Sequence, residues 1–128
     1  MIITPYVHDD HQYFIYKILQ HRGLPGEWSF NLPKFGLVAI HDECVVACGF
    51  IREFEGHTGV VDGFLTDPTK SPEIRNRALD LISYKLGKIA DHHKIKLMCF
   101  TEDDSIISRA LKHGYEDHTN MKVLVRKG

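Results

Sequence analysis

A long amphipathic segment between two apolar ones is the feature that most restricts what this chain can fold into. Pro72–His92 carries apolar residues at the three- and four-residue spacing of one face of an α-helix. This stripe consists of Ala78, Leu81, Ile82, Leu86 and Ile89. The apolar segments 59–66 and 95–100 flank the helix and are typical of strands. Because a helical crossover of this length joins parallel strands, the sequence predicts a βαβ unit.

Three short strands in succession are predicted before the long helix. Residues 35–40, Cys44–Phe54 and 59–66 have the composition of strands, and only a few turn residues separate them. Such short turns join antiparallel neighbours. The sequence therefore predicts a mixed α/β fold, in which an antiparallel meander continues into the βαβ unit and helices cover both faces of one sheet. We expect residues 1–128 to form a single domain.

The beginning of the chain is predicted to contain one helix followed by a loop. Asp9 or Asp10 is expected to cap a helix that runs to about Gln20, with Gly23 as its stop signal. Residues 24–34 contain two prolines and are expected to form a loop.

The end of the chain is predicted to contain a short helix and a last strand. Asp104 or Ser105 is expected to cap the helix, and Gly114 suits its C-terminal end. Residues 121–126 are expected to close the sheet as a strand.

Composition excludes several classes of protein. A formal net charge of −1 and 26% charged residues give no basic footprint for nucleic acid or for an anionic membrane. No apolar run approaches the ~20 residues of a membrane span, and no signal-peptide pattern is expected at the start. The nine histidines and three cysteines lack metal-ligand spacing, so we expect no metal site and reduced, buried thiols. The composition thus predicts a cytoplasmic protein.

The strand end before the long helix has the layout of an anion-binding site. Residues 59–66 lead into a short polar loop, and Arg75 and Arg77 lie near the start of the next helix. Free N–H groups and the helix dipole favour a negatively charged ligand there. Ligands of such sheets bind where the carboxyl ends of parallel strands diverge. The expected pocket therefore lies between the strands that end at Thr66 and Phe100.

Two local patterns add to this order of elements. One is Phe64-Leu65-Thr66-Asp67-Pro68, and the other is Leu111-Lys112-His113-Gly114-Tyr115-Glu116. The first is similar to the strand end before the pyrophosphate loop of the GNAT N-acetyltransferases, and the second to the late Leu-Gly-Phe/Tyr-Glu signature of that family. Over residues 35–126 the chain thus resembles a GNAT protein, which implies acetyl-coenzyme A (acetyl-CoA) as co-substrate. It is also loosely similar to small GNAT-like proteins of bacteriophages.

The resemblance implies a set of residues that would bind acetyl-CoA. They are Phe64, Leu65, Thr66, Arg75, Asn76, Arg77 and Ala78. The first three match the binding position of the pantetheine arm, and the last four lie in register with the pyrophosphate motif. Asn76 replaces a glycine and is expected to keep its positive-φ turn. Arg75 and Arg77 are expected either to bond phosphate or to be solvated surface arginines.

Two catalytic residues of many family members are absent. Counted back from Gly114, the usual Tyr position holds Ala110 and the usual upstream Asn position holds Asp103. With both absent, Ser105 or Ser108 is the candidate donor to the departing thiolate. The alternative for Ser105 is a simple helix cap.

Asp62 is the candidate general base, because a carboxylate in so apolar a strand is unusual. Strand alternation places it on one face with Phe64 and Thr66. The alternative is a rim residue bonded to a neighbouring backbone N–H. Glu53 and Glu55 are weaker candidates, since charges at a hairpin end usually serve solubility.

Two functions remain open from the sequence. The resemblance implies acetyl-CoA-dependent acetylation of a primary amine on a small molecule or a peptide. The absent family residues favour a catalytically silent GNAT-fold module that binds CoA or a protein. An exposed sheet edge would also allow a homodimer.

Overall fold

The chain folds into a five-stranded sheet with helices on both faces. The computed structural model describes residues 1–118, 120 and 122–127. The strands are β1 (Ile2–Pro5), β2 (Phe35–His41), β3 (Cys44–Phe54), β4 (Thr58–Thr66) and β5 (Lys96–Met98). The helices are α1 (His8–His21), a short 3₁₀ helix (Gly26–Asn31), α2 (Pro72–His92) and α3 (Asp104–Lys112).

The sheet has the predicted mixed topology. Its strands follow one another in chain order from β1 to β5. The first three strand pairs are antiparallel, and β4 and β5 are parallel. Helix α2 is the crossover between the two parallel strands. The antiparallel meander and the βαβ unit are therefore both confirmed.

Alternate residues of the central strands supply two separate cores. The core under α1 contains Ile15, Ile18, Leu19, Val38, Val45, Cys48 and Phe50. The core under α2 contains Leu37, Ala39, Val46, Ala47, Ile51, Ala78, Ile82 and Leu86. Neighbouring strand residues point to opposite faces, so one run of apolar residues serves both helices. This explains why β3 is buried over most of its length.

Helix α2 has the predicted bounds because local signals define them. The hydroxyl oxygen of Ser71 accepts a hydrogen bond from the N–H of Ile74 (3.3 Å) and caps the helix. Pro72 follows at the first helical position, where its missing N–H has no cost. The buried residues of the helix are Ala78, Ile82, Leu86 and Ala90, which continue one stripe.

Three features near the amino terminus differ from the prediction. Strand β1 was not expected, because four residues that end in a proline give little pattern; it pairs with β2 at the edge of the sheet. Helix α1 begins after Val7, so Asp9 and Asp10 lie in its first turn and neither is the cap. The expected loop 24–34 contains the 3₁₀ helix.

Two features near the carboxyl terminus also differ. The cap of α3 is Asp103 rather than Asp104 or Ser105. Residues 122–126 form no strand and are exposed, and Met121 lies outside the described residues. A strand is stabilised by its partner, and this segment has none in the part of the chain that the structure describes.

Candidate functional site

Strands β4 and β5 pair only over the first part of β4. Their ladder joins residues 58–60 to residues 96–98, and β4 continues beyond it as far as Thr66. Strand β5 is thus shorter than the predicted 95–100. Among the described residues no strand pairs with this outer edge of β4, so its outward backbone groups have no strand partner there. This unpaired edge is where the sequence predicts the ligand.

A β-bulge interrupts the outer part of β4. Cys48 of β3 pairs with Leu65 and Phe50 pairs with Asp62, so β4 has one more residue than β3 between these pairs. Gly63 adopts a φ of +63°, a left-handed conformation that glycine takes without strain. A Cβ at Gly63 would also approach the Phe50 ring to 3.0 Å. Each residue after Gly63 therefore points to the face of the sheet opposite to the one that regular strand alternation would give it.

The bulge changes which face of the sheet carries Asp62. Ladder partners point to the same face, so Asp62 lies with Phe50 on the α1 side. Phe64 packs against the core under α2, and Thr66 pairs with Ala47 of that core. The expectation that Asp62 shares a face with Phe64 and Thr66 is therefore wrong, because the extra residue breaks the alternation.

Asp62 supports the bulge through two hydrogen bonds. The N–H of Gly63 donates to its Oδ1 (2.8 Å), and the Nε–H of Arg52 donates to its Oδ2 (3.2 Å). The side chains of Asp62 and Arg52 are each about half exposed. The backbone contact is the one expected of a rim residue. Carboxylate oxygens have further lone pairs, so an incoming donor can still bind Asp62.

Arg22, just after α1, holds the end of β4. Its Nε–H donates to the carbonyl oxygen of Thr66 (2.7 Å) and its Nη2–H donates to the Thr66 hydroxyl oxygen (2.5 Å). On the other side, the N–H of Asp67 donates to the carbonyl oxygen of Val46 in β3 (2.8 Å). Since neighbouring strand residues direct their N–H groups to opposite edges, the N–H of Thr66 faces the open edge. Sequence reasoning missed Arg22, because no local pattern links residues 44 positions apart.

The expected pyrophosphate motif is helical. Residues 73–78 form the first turns of α2 behind the Ser71 cap. Asn76 is therefore helical, and the positive-φ turn expected there is wrong. The side-chain oxygen of Asn76 accepts a hydrogen bond from Nη2 of Arg109 (3.0 Å). Ala78 is fully buried, so its small side chain lets α2 lie close to the sheet.

The side chain of Arg75 contains a buried N–H group in this region. Its Nε is buried and has no hydrogen-bond acceptor within the described residues. Arg77, two positions further along α2, is exposed. Burying an N–H without an acceptor costs free energy, so an acceptor that reached this N–H would be bound favourably. Its place at the start of α2 fits an anionic group such as phosphate.

A second charged cluster joins α2 to α3 around Asp80. Nη1 of Arg109 donates to Oδ1 of Asp80 (2.6 Å) and Nζ of Lys112 donates to Oδ2 (3.1 Å). Nε2 of His113 lies 3.2 Å from Oδ1. Burial opposes ionisation of Asp80, but the hydrogen bonds from His113 and Lys112 and the charge of Arg109 outweigh it. The pKa of Asp80 therefore lies below its ordinary value of 3.8.

We expect Asp80→Asn to lower the free energy of unfolding at pH 7 by about 1 kcal/mol, after allowance for solvent screening of the partly exposed cluster. Because the folded-state pKa is lowered, ionised Asp80 stabilises the protein above the ordinary value of 3.8. This contribution is lost as the pH falls through the folded-state pKa. Urea unfolding of both proteins should show a constant difference from pH 7 to pH 5 that shrinks below about pH 4.

The matched control for that experiment is Asp91→Asn. Asp91 is an exposed residue near the C-terminal end of the same helix, where a negative charge is unfavourable. Its replacement should leave stability unchanged or slightly higher. A pH-independent difference between the wild type and the Asp80 variant would contradict the proposed ionic origin.

Ser105 lies beside this cluster, with its hydroxyl engaged. The hydroxyl donates to Oδ1 of Asp103 (2.6 Å), and the same oxygen accepts the N–H of Ser105 and caps α3. The hydrogen bond from the Ser105 hydroxyl is the main cause that lowers the pKa of Asp103. Ser105 also lines a shallow, open groove of about 320 Å³ on the surface between α2 and α3. To donate to a thiolate, its hydroxyl would first have to release Asp103.

Other reactive groups contribute little here. Cys48 is buried in the core under α1, and burial raises the pKa of its thiol to about 12, so the thiol is uncharged at neutral pH. Within residues 1–118, 120 and 122–127, no three His, Cys, Asp or Glu side chains come close enough to hold a metal ion. In the same residues, no helix combines the length and the apolar character needed to cross a membrane.

Solved structures resemble this chain along most of its length. No protein-family model matches the sequence, and no curated protein matches it. A probable acetyltransferase superposes with a TM-score of 0.76 at 12% identity, covering 99% of this chain and 97% of that one. For an aminoglycoside 6′-acetyltransferase type Ii, the TM-score is 0.74 at 13% identity, with coverages of 91% and 83%. A ribosomal-protein-alanine N-acetyltransferase from Brucella melitensis biovar Abortus 2308 gives 0.66 at 15% identity, with 99% of both chains covered.

These similarities establish the fold of the chain. Other neighbours of comparable similarity include a tandem GNAT protein and a GNAT-family acetyltransferase from Streptococcus pneumoniae. The chain is thus a divergent example of the GNAT fold, and the expected fold is confirmed. The structures give no support to the loose likeness to bacteriophage proteins. At such low identities they define the architecture, so the activity must be argued from the site.

Proposed function

We propose that this protein is an acetyl-CoA-dependent N-acetyltransferase that acts on a primary amine of a small molecule or a peptide. The observation that carries the proposal is the buried Nε of Arg75, at the start of the helix that follows β4, which has no hydrogen-bond acceptor among the described residues. The GNAT fold makes acetyl-CoA the natural source of the missing acceptor oxygens. Two structural neighbours are named for acetylation of an aminoglycoside and of ribosomal-protein alanine, which supports an amine as the second substrate.

Separate parts of the chain would hold acetyl-CoA. The N–H of Thr66 at the open edge of β4 is a donor for an amide carbonyl of the pantetheine arm. Arg75 would donate to phosphate oxygens, and the exposed Arg77 would add positive charge nearby. Phe64 and Ala78 would act through packing, because both lie against the core under α2 and fix the strand and the helix relative to each other.

Asp62 would serve as the general base. It would accept a proton from the ammonium group of the acceptor, and the free amine nitrogen would then bond to the acetyl carbon while the carbon–sulfur bond breaks and the nitrogen loses its second proton to solvent. Ala110 stands at the usual Tyr position, so the thiolate would take its proton from water, or from Ser105 once that hydroxyl releases Asp103. The absence of such an acid typically costs ~10²–10⁴-fold in rate. We therefore expect slow turnover.

Acetyl-CoA is expected to stabilise the wild-type protein against thermal unfolding. At 100 times its dissociation constant, a ligand adds ~2.7 kcal/mol to the free energy of unfolding. Arg75→Ala should weaken binding about 10- to 100-fold, since a hydrogen bond to a charged group contributes about 1.5–3 kcal/mol. Thermal unfolding and isothermal titration with acetyl-CoA measure both quantities.

Arg77→Ala is the matched control, because it removes the same charge from an exposed position on the same helix. It should weaken binding less than Arg75→Ala. The absence of any thermal shift at millimolar acetyl-CoA would overturn the proposed function. Binding without thiol release in the presence of an aminoglycoside, spermidine or an alanine-terminated peptide would instead indicate a silent CoA-binding module.

A further inference from the structure

We propose that Arg22 is a positioning residue for acetyl-CoA, because it fixes the end of β4 so that the N–H of Thr66 stays directed at the ligand. The inference rests on the proposed function and adds a residue to it from a different part of the chain. Arg22 follows α1, and α1 packs on the opposite face of the sheet from α2.

The outer part of β4 needs such support. Beyond residue 60 it has lost its β5 partner among the described residues, and the bulge at Gly63 interrupts its ladder with β3. At its end, the hydrogen bond from Asp67 to Val46 holds the strand from the β3 side. Arg22 holds it from the open side, because the carbonyl oxygen of Thr66 points to the same edge as its N–H.

The contact has a geometry suited to fixing orientation. Two nitrogens of one planar guanidinium donate to two oxygens of one residue, so rotation of Thr66 would break both hydrogen bonds. Thr66 itself is only 6% exposed, which limits the water available to replace these bonds. Lysine at this position lacks the planar fork of two donor nitrogens, so it would fix the orientation of Thr66 less firmly.

The backbone of Arg22 is held by hydrogen bonds to the end of α1. Its backbone N–H donates to the carbonyl oxygens of Ile18 and Leu19 at the end of α1 (both 3.1 Å). Ile18 and Leu19 are buried in the core under α1. The helix end is therefore anchored to the sheet, and the hydrogen bonds of Arg22 connect the end of β4 to this anchored helix. The N–H of Thr66 is thus held in place before the ligand arrives, which lowers the cost of binding.

The test compares Arg22→Ala, Arg22→Lys and Lys85→Ala with the wild type by isothermal titration of acetyl-CoA well below the melting temperature. We expect Arg22→Ala to raise the dissociation constant about tenfold and Arg22→Lys to raise it about threefold, because ligand binding would then have to order the strand end that Arg22 otherwise holds in place. Lys85→Ala removes an exposed cation elsewhere and should change nothing. With an active acceptor, KM for acetyl-CoA should rise while kcat stays within about threefold.

Hydrogen exchange gives a readout without ligand. The amide of Asp67 should exchange faster in Arg22→Ala and be partly restored in Arg22→Lys, while the buried strand β3 is unchanged. If Arg22→Ala does not fold, Arg22→Lys and Thr66→Val, which removes only the hydroxyl acceptor, take its place. Wild-type binding with an unchanged dissociation constant in the Arg22 variants would overturn the positioning role alone. No wild-type binding would overturn the proposed function and this role with it.

Discussion

Asp62→Asn is expected to lower kcat for acetyl transfer by about 10²–10⁴-fold, the usual contribution of a positioned general base. Asparagine keeps the shape of the side chain and an oxygen for the N–H of Gly63, but it cannot take a proton from the acceptor. The dissociation constant of acetyl-CoA should stay unchanged. Steady-state release of CoA thiol, with the best acceptor among an aminoglycoside, spermidine and an alanine-terminated peptide, gives kcat directly.

Glu53→Gln is the matched control for this prediction. Glu53 is an exposed carboxylate on the neighbouring strand β3 and a weaker candidate base, so its replacement should leave kcat nearly unchanged. The opposite pattern for Asp62→Asn, with intact kcat and weakened acetyl-CoA binding, would mean that Asp62 stabilises the β-bulge and does not act as the general base. Its hydrogen bonds to Gly63 and Arg52 make that outcome a specific alternative.

Phe50→Ala should produce the largest loss of stability, about 3–5 kcal/mol, through lost burial and the cavity left behind. The Phe50 ring is fully buried and meets Tyr6 edge-on, with 5.2 Å between ring centroids. Gly36 and Gly63 lie against it so closely that a Cβ on either would press on the ring. Urea unfolding at pH 7 measures the change, and a constant m-value would confirm that the denatured state is unaffected.

Phe54→Ala provides the comparison on the same strand. Phe54 is 51% exposed, and surface substitutions usually change stability within ±0.5 kcal/mol. Equal losses in the two variants would contradict the assignment of Phe50 to the core. Because Phe50 also pairs with Asp62 across the bulge, its loss should reduce activity beyond the effect on the folded fraction.

Features set by neighbouring residues were predictable from the sequence, and α2 shows why. The Ser71 cap, Pro72 and the apolar stripe all lie within the segment itself, and each points to the same helix. The meander and the parallel crossover followed in the same way from short turns and from the length of the connection. The order of the elements was therefore enough to predict the fold.

The details of the site depend on partners that the sequence does not reveal. The bulge in β4 appears only when the register with β3 is known, and it moved Asp62 to the face opposite Phe64. The contact between Arg22 and Thr66 joins two distant parts of the chain. Residues 122–126 show the reverse case, since their strand-like pattern has no partner among the described residues. Local propensity alone did not make them a strand.

The short parallel ladder between β4 and β5 has an energetic consequence. It covers three residues of each strand, so few hydrogen bonds oppose the local opening of β5, and this edge should open at a lower free energy than the central strands. A ligand that contacts both strands would bind only the closed arrangement. Part of its binding free energy would then be used to hold β5 paired with β4. This edge of the protein would therefore be more rigid with the ligand bound than without it.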